Sequence, residues 1–448
     1  MIKYLVGDNT IIRLRNNRMK VCFFTLGCKV NQQETAAMIN IFSQHGWEIA
    51  ADKEVSDVYI VNSCTVTLSG DKKSIQWIRR AKKQNPDAVV VLCGCMPQAF
   101  PDKAIAVSEA DIIIGSKGKG QIFDLVQKFM AEKQRIVDIK PHGENDAFEE
   151  LAEGEDTMHT RAFLKIQDGC NRSCAYCIIP KARGRVRSRS VESIVAQAKK
   201  LADLGHKEIV LTGVNISCYG QDIGTNVCDV IEAVAEIENV HRIRFGSLEL
   251  DLFTDDMLVR MSRVEKFCPH FHLSLQSGCD KTLKAMNRLY DTKLYTDMMN
   301  RLRELFVKPV FTTDIIVGFP GETEQDFIES VDFVQKCEFL KVHAFTFSPR
   351  KGTVAYEMAD QIPNDIKSER NRVLTFKSEQ TKNKVMESFI GFEDTALLEQ
   401  QLPDGDWTAY TSRYIPVIVK NSAHLNGGDI VNVRLTEING QRMTAEII

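Results

Sequence analysis

Three cysteines lie close together in the segment GCNRSCAYCIIP, at Cys170, Cys174 and Cys177. Thiolates at this spacing can bind one soft metal centre from a single loop. An iron–sulfur cluster is normally held by four thiolates, and this loop supplies three, so a cubane cluster bound here would keep one iron open for another ligand. A structural zinc site needs a fourth ligand that the loop does not supply. The spacing therefore favours a cluster with one reactive iron.

The cysteine count argues against a framework of disulfides. The chain has 13 cysteines among 448 residues, an odd number scattered along its whole length. The first twenty residues lack the apolar core and cleavage site of a secretory signal. No apolar run approaches the roughly 18 residues that a membrane-spanning helix needs. We therefore expect free thiols, a cytoplasmic location and no membrane partner.

Three more cysteines each follow an apolar segment that is typical of a buried strand. Cys28 follows VCFFTLG, Cys64 follows VYIVNS and Cys95 follows VVVLCG. Because the carboxyl ends of parallel strands meet at one edge of a sheet, the three thiols could converge there. Three core cysteines are an equally good interpretation of the spacing, since free cysteine is common in cores. Cys93 lies on the same strand face as Cys95, but Cys95 is favoured because it follows Gly94 at the strand end.

Short apolar runs alternate with amphipathic stretches from Val21 onward, which is typical of βαβ units, whereas residues 1–18 are excluded from the predicted fold. Residues 19–150 are predicted to form an N-terminal doubly wound parallel sheet that ends in a polar, acidic linker. Residues 151–385 contain six strand–helix units, too few for a closed eight-fold barrel, which predicts a central open (βα)6 partial TIM barrel. Residues 386–448 show short alternating segments with Gly-Gly and Asn-Gly turns, which predict a small antiparallel β-barrel. The predicted fold class is therefore α/β multidomain.

The charge pattern is informative only locally. The formal net charge is −3, so no global positive field points to nucleic acid. Between Cys170 and Arg189, however, the chain carries six basic residues and no acid: Arg172, Lys181, Arg183, Arg185, Arg187 and Arg189. A solvated charged face is the ordinary interpretation of such a run. Its place beside the reactive site instead favours contacts with the phosphates of an RNA.

The predicted C-terminal barrel gives weaker indications of RNA binding. From Phe389 to Ile448, eight acids oppose four bases, so the net charge of the barrel does not favour non-specific binding of phosphate. Recognition of RNA by stacking and shape could use Tyr410, Arg413 and Tyr414. A purely structural barrel is an equally good interpretation.

The loop C-x-x-x-C-x-x-C, with Tyr176 before its last cysteine, resembles the radical S-adenosylmethionine (SAM) enzymes. In that family three cysteines hold a 4Fe-4S cluster whose open iron binds SAM, and an electron from the cluster cleaves SAM to a 5′-deoxyadenosyl radical. The family's fold is the open six-unit barrel. Segments similar to its SAM-binding strands are LTGVNI, HLSLQSG and DIIVGFPGET. The resemblance implies SAM contacts from Tyr176, Gly213, Gln276 and Gly318, while each glycine alone is compatible with an ordinary turn.

The segments TLGCKVNQQET, VNSCTVT and CGCMPQ resemble the cysteine segments of the methylthiotransferases, and residues 386–448 resemble their RNA-binding TRAM domain. This resemblance implies that Cys28, Cys64 and Cys95 hold a second 4Fe-4S cluster and that the net reaction converts C–H to C–SCH3. The implied partners are tRNA, SAM and an unidentified electron donor. The remaining seven cysteines are interpreted as ordinary thiols: Cys22, Cys93, Cys218, Cys228, Cys268, Cys279 and Cys337.

Within that family, the form TLGCKVN is most similar to enzymes that modify C2 of N6-threonylcarbamoyladenosine next to the tRNA anticodon. Related subgroups act on isopentenyladenosine in tRNA or on an aspartate of a ribosomal protein. An iron–sulfur electron-transfer protein, or an RNA-binding protein without turnover, is the non-enzyme alternative.

Overall fold

The computed structural model describes residues 18–151, 160–420 and 422–448. Residues 1–17, which belong to the stretch excluded from the predicted fold, lie outside the described residues, and so does part of the predicted acidic linker. No helix in the described part of the chain is long and apolar enough to cross a membrane.

Six strands and five helices form the N-terminal part of the fold. They are β1 (Lys20–Thr25), α1 (Lys29–Gln44), β2 (Glu48–Ala50), β3 (Val58–Ser63), α2 (Leu68–Gln84), β4 (Val89–Gly94), α3 (Cys95–Ala99), α4 (Pro101–Ile105), β5 (Ile112–Ile114), α5 (Ile122–Glu132) and β6 (Ile136–Asp138). All strand pairs are parallel, in the order β2-β1-β3-β4-β5-β6. Apolar side chains of α1 and α5 pack on one face, and those of α2 and α4 on the other. The predicted doubly wound parallel sheet is confirmed.

The central part contains nine strands and nine helices. They are β7 (Ala162–Lys165), β8 (Gln167–Asp168), α6 (Ile179–Arg183), β9 (Arg187–Ser188), α7 (Val191–Asp203), β10 (Glu208–Thr212), α8 (Val227–Ala235), β11 (Arg242–Phe245), β12 (Ser247–Leu248), α9 (Asp255–Ser262), β13 (His270–Leu273), α10 (Asp280–Ala285), α11 (Thr292–Leu305), β14 (Val310–Val317), α12 (Glu324–Lys336), β15 (Lys341–Thr346), α13 (Val354–Glu357) and α14 (Asn364–Glu387). The parallel strands run β7-β10-β11 and, after one intervening glycine, β12-β13-β14-β15. Within the described residues no pairing joins β7 to β15, so the predicted open partial barrel is confirmed. The antiparallel ribbon of β8 and β9 carries the cysteine loop between its strands.

A closed barrel of five strands ends the chain. The strands are β16 (Glu393–Gln401), β17 (Trp407–Thr411), β18 (Pro416–Val419), β19 (Ile430–Asn439) and β20 (Arg442–Ile447). All neighbours are antiparallel except β18 and β20, which pair in parallel, so the barrel closes with one pair that the hairpin pattern did not predict. The long helix α14 leads into the barrel and continues beyond residue 385. The domain boundaries near residues 150 and 385 stay predictions.

Candidate active site

Three N-terminal cysteines meet at the carboxyl edge of the parallel sheet. Cys28 caps the first turn of α1 after β1, Cys64 directly follows β3, and Cys95 begins α3 after β4. These strands are neighbours, and chain order reverses between β1 and β3, which is where such sheets leave a crevice for ligands. Burial first, and then the nearby thiols of Cys95 and Cys28, raise the pKa of Cys64 to about 12. The structure thus brings the three thiols together.

Two glycines permit this approach. Gly27 has φ +102°, and a Cβ there would lie 2.6 Å from the Cβ and 2.8 Å from the Sγ of Cys64. Gly94 has φ +100°, and a Cβ there would lie 2.6 Å from Asn62 Oδ1. Both positions combine a left-handed backbone with a contact that no side chain tolerates. Cys93, the alternative to Cys95, instead packs in the core between the sheet and α1.

The second triad occupies the loop between β8 and β9, where Cys170, Cys174 and Cys177 are each half-buried. The Sγ of Cys170 accepts hydrogen bonds from the backbone N–H of Arg172 at 3.4 Å and from Asn215 Nδ2 at 3.6 Å. The pKa of Cys170 falls to about 6, first because the thiol of Cys218 hydrogen-bonds to it. A thiolate at neutral pH is the form that binds iron.

Two partners of this triad were not predicted from the sequence. Arg288 donates from Nη1 to Cys174 Sγ at 3.1 Å, and its other nitrogen lies 2.7 Å from Glu249 Oε1. Cys218, interpreted above as an ordinary thiol, is the buried hydrogen-bond donor to Cys170. Neither residue belongs to the cysteine motif, and no local pattern marks them.

The donor sets suit polynuclear clusters better than a single zinc ion. Tetrahedral zinc places its sulfur ligands roughly 3.8 Å apart, given a bond of about 2.3 Å. In the described part of the chain, neither cysteine triad is among the groups whose three ligand atoms all lie within 4.8 Å of one another. Each triad also has an arginine donating to one sulfur, Arg288 to Cys174 and Arg183 to Cys95, which offsets the negative charge of bound thiolates.

The basic run beside the loop is largely internal, which corrects the sequence interpretation. Arg183, Arg187 and Arg189 are buried, while Lys181 and Arg185 are exposed. Arg172, also in this run, forms ion pairs with Glu249 and Asp251. The three buried arginines do not belong to the predicted phosphate-binding surface. Their guanidinium groups instead form ion pairs and hydrogen bonds with acids from elsewhere in the fold and with backbone carbonyls. Phosphate contacts stay a prediction for Lys181 and Arg185.

Arg183 joins the central barrel to the N-terminal sheet. Its Nε donates to Cys95 Sγ at 3.2 Å, its Nη2 to Glu34 Oε2 at 3.0 Å and its Nη1 to Asp168 Oδ2 at 3.2 Å. Glu34 also binds the ammonium groups of Lys119 and Lys165. These cations hold the pKa of Glu34 well below its usual value despite its burial. The network therefore ties the loop of one triad to a sulfur of the other.

Arg183→Ala is expected to lower the free energy of unfolding by about 3–5 kcal/mol, because it leaves Glu34 with one buried partner fewer. Urea unfolding monitored by tryptophan fluorescence measures this loss. Arg185→Ala is the matched control, since Arg185 has 64% of its side chain exposed and pairs only at the surface with Glu144. A change within about 0.5 kcal/mol is expected for the control. Equal stability of the two variants would contradict a bracing role for Arg183.

The four residues with predicted SAM contacts all lie near the end of the barrel strands. Gly213 lines the central cavity, and Gln276 adopts φ +71° where it bridges to β14. The N–H of Gly318 donates to Glu322 Oε1 at 3.0 Å, and the Tyr176 hydroxyl accepts from Arg288 at 3.4 Å. Their contacts with SAM stay a prediction.

A cavity of about 680 Å³ lies between the three parts of the fold. Cys28 lines it from the N-terminal sheet, and Tyr410 and Tyr414 line it from the C-terminal barrel. Gly213 lines it from the central barrel, two residues before Asn215, which contacts Cys170. The cavity thus reaches from one cysteine triad to the neighbourhood of the other.

The three barrel residues predicted to recognise RNA separate into two groups. Tyr410 and Tyr414 stack on each other at a centroid distance of 4.6 Å and face the cavity. Arg413 is instead buried and donates to the carbonyls of Val307 at 2.7 Å and Lys308 at 3.0 Å. The predicted stacking role of Arg413 is wrong, because its guanidinium fastens the barrel to the loop before β14.

The cavity wall also contains polar residues that the sequence did not indicate. His272, Asp314 and His343 lie on three adjacent strands; the register pairs Asp314 with His343, and His272, which pairs with Thr312, lies diagonally from Asp314. His272 Nε2 is 3.2 Å from Asp314 Oδ2. Strand pairing, which sequence spacing does not reveal, brings them together.

His270, in the same wall, makes stability depend on pH. Its pKa lies well below the usual 6.5, first because of burial and then because of Arg244, His272, Lys29 and Arg161. The unfolded chain therefore takes up a proton as the pH falls through 6.5, whereas folded His270 stays neutral until the pH falls further. The stability present above this pH is lost below it, by up to about 1.4 kcal/mol per pH unit.

His270→Gln is expected to flatten this slope. Thermal unfolding midpoints of both proteins at about pH 7.5 and about pH 5.5 measure the difference. The wild type should lose more stability on acidification than the variant. Identical losses would show that His270 does not titrate between the folded and unfolded states.

Three family models match successive parts of the chain. They are the uncharacterised protein family UPF0004 over residues 20–115, the radical SAM superfamily over residues 164–334 and the TRAM domain over residues 388–448. The matched ranges correspond to the parallel sheet, the open barrel and the closed barrel. Each cysteine triad lies within one of the first two ranges.

Curated relatives match over most of the chain. The threonylcarbamoyladenosine tRNA methylthiotransferase MtaB of Bacillus subtilis (strain 168) is 37% identical over 421 residues, covering 93% of each chain. MtaB of Aquifex aeolicus (strain VF5) is 37% identical over 386 residues, covering 86% of this chain and 93% of its own. A tRNA-2-methylthio-N(6)-dimethylallyladenosine synthase of Clostridium tetani (strain Massachusetts / E88) is 34% identical over 377 residues, covering 82% of both chains.

A solved structure shares the fold at low identity. The radical S-adenosylmethionine methyltransferase TsrM from Kitasatospora setae, with cobalamin and a [4Fe-4S] cluster bound, superposes with a TM-score of 0.55 at 12% identity. The match covers 76% of this chain and 74% of that chain. The match shows a shared fold over about three quarters of each chain.

Proposed function

Because the chain belongs to the radical SAM tRNA methylthiotransferases, in the threonylcarbamoyladenosine subgroup, we propose that it inserts a methylthio group at C2 of N6-threonylcarbamoyladenosine next to the tRNA anticodon. The observation that carries the proposal is the cavity that Cys28 lines and whose wall includes Gly213, two residues before Asn215, which hydrogen-bonds to Cys170. One substrate base in this cavity would lie between the two triads.

The chain's own residues would hold and orient the reacting groups. Cys170, Cys174 and Cys177 would bind the radical SAM 4Fe-4S cluster, and we assign a second 4Fe-4S cluster to Cys28, Cys64 and Cys95. When bound, the first cluster would supply the electron that cleaves SAM, and the second would present to the substrate a sulfur that another SAM has methylated. The donors that converge on the sulfurs support this assignment, since hydrogen bonds to thiolates stabilise their charge and set the reduction potential.

The surroundings support a tRNA substrate. Tyr410 and Tyr414 of the closed barrel offer aromatic faces in the cavity, where an unstacked base could bind. Lys181 and Arg185, the exposed members of the basic run, could contact phosphates near the loop of the radical SAM triad. An external reductant must feed the cluster, and the cytoplasm is the proposed location.

Comparing tRNA nucleosides by mass spectrometry, with and without the gene, tests the function. We expect the methylthio derivative of threonylcarbamoyladenosine to disappear on deletion and to return with the wild-type gene. If deletion removed only methylthio-isopentenyladenosine, the chain would be reassigned to the other tRNA subgroup. Unchanged nucleosides would refute a tRNA-modifying activity.

A further inference from the structure

One wall of the cavity concentrates positive charge around a single phenol. The guanidinium groups of Arg161 and Arg244 both lie 4.9 Å from the ring centroid of Tyr414. Lys29, the residue after Cys28, extends into the same space with its Nζ 5.1 Å from the ring of Phe163. Three cations from two parts of the fold therefore line the cavity together with Tyr414.

Nearby acids balance this charge only in part. Glu208 pairs with Arg244 at 2.8 Å and with Arg242 at 3.3 Å, and Glu399 pairs with Arg161 at 2.8 Å. Among the described residues, no carboxylate forms a salt bridge with Lys29. Glu208 and Glu399 thus pair with the three guanidinium groups, and Lys29 lies outside these ion pairs. Because an uncompensated charge away from bulk water is costly, this wall suits an anionic ligand.

Individual donors are also available for such a ligand. Nη1 of Arg244, a residue that is only 2% exposed, is a buried nitrogen with no hydrogen-bond partner in the part of the chain that the structure describes. Arg161 hydrogen-bonds to the Tyr414 oxygen, so the phenol proton is free to point at a ligand. The positive groups also hold the pKa of Tyr414 below its usual value, although burial opposes this. A hydroxyl, an ammonium and a guanidinium group therefore line the same cavity.

We propose that Lys29, Arg244 and Tyr414 form a subsite for the carboxylate on the threonylcarbamoyl group of the substrate base. This inference rests on the proposed function and names the feature by which the substrate is selected. A carboxylate accepts charge-assisted hydrogen bonds from all three donors. An isopentenyl group has no acceptor, so it would leave these donors desolvated and unpaired, which disfavours its binding. Because Lys29 follows Cys28, a carboxylate held here would keep the base beside the N-terminal triad.

Binding of two synthetic anticodon stem-loops to the reconstituted full-length enzyme tests the subsite. One carries threonylcarbamoyladenosine, and the other carries its methyl ester, so their phosphates are the same and only the carboxylate differs. The wild type is expected to bind the acid roughly 10- to 100-fold more tightly than the ester. Lys29→Gln should reduce this ratio toward one, and Tyr414→Phe, which keeps the aromatic stack, should reduce it independently. Lys199→Gln, which removes an exposed charge from α7 outside the cavity lining, is the control and should leave the ratio unchanged.

Two results would overturn the subsite. One is that wild-type enzyme binds the acid and the ester with nearly equal affinity. The other is an equal weakening of acid and ester in Lys29→Gln with a smaller salt dependence, which would mean that Lys29 contacts a phosphate. Methylthio product from the acid stem-loop, measured in the same samples, separates this failure from a failure of the function. Product without discrimination refutes the subsite alone, whereas no product from wild-type enzyme refutes the proposed reaction.

Discussion

Replacing Cys174 by alanine is expected to abolish reductive cleavage of SAM, with 5′-deoxyadenosine falling at least about 100-fold below wild type. The loop itself contains only these three cysteines, so two remaining sulfurs would hold the cluster poorly. The loss of Cys174 also leaves the guanidinium of Arg288 without the sulfur it contacts at 3.1 Å. Chromatography with mass detection of 5′-deoxyadenosine, after anaerobic reduction, measures the effect.

Cys337→Ala is the matched control for this experiment. Cys337 is a buried thiol at the end of α12, where it packs in the core of the barrel. Its removal should leave both the iron content and SAM cleavage close to wild type. If Cys174→Ala retained cleavage, the assignment of the cluster to this loop would be wrong.

Replacing Cys28 by alanine is expected to separate the two halves of the reaction. Cys28 belongs to the other triad and is exposed to the cavity, so its loss should not disturb the loop of Cys170. We expect 5′-deoxyadenosine to form at close to the wild-type rate, while methylthiolated nucleoside falls at least about 100-fold. Iron analysis should show the loss of one cluster. Product formation by Cys28→Ala would contradict the second cluster.

Cys93→Ala gives the control within the same sheet. Cys93 lies in β4, two residues before Cys95, and packs in the core beside α1. Its replacement should keep product formation and iron content, at a modest cost in stability. Loss of product in Cys93→Ala, together with its retention in Cys95→Ala, would exchange the roles of these two residues.

The arrangement of both triads follows from patterns that a sequence displays. The radical SAM loop is local, so its three cysteines are evident from spacing. The N-terminal triad is not local, yet Cys28, Cys64 and Cys95 each follow a strand, and parallel pairing brings strand ends together. Because β1, β3 and β4 are adjacent in the sheet, the three cysteines that follow them lie together at its carboxyl edge.

The partners of charged side chains were beyond sequence reasoning. The basic run around Arg183 is typical of a charged surface. Arg183 is instead buried and donates a hydrogen bond to Glu34, 149 positions away. Arg288 reaches Cys174 across 114 positions. Such pairs depend on how separate elements pack, and neither periodicity nor composition encodes that packing. Charge runs therefore predicted the location of an important loop while misassigning three of its arginines.

The wall of stacked tyrosines has an evolutionary consequence. Tyr410 and Tyr414 belong to the closed barrel, whereas Arg161 and Arg244, which lie against Tyr414, belong to the central one. A substitution at residue 414 therefore changes the surroundings of two cations in another module, so these positions should vary together among homologues. Exchanging residues 388–448 for those of a homologue with a different substrate would transplant part of the catalytic pocket. With the proposed subsite, the C-terminal module would contribute to substrate choice as well as to RNA binding.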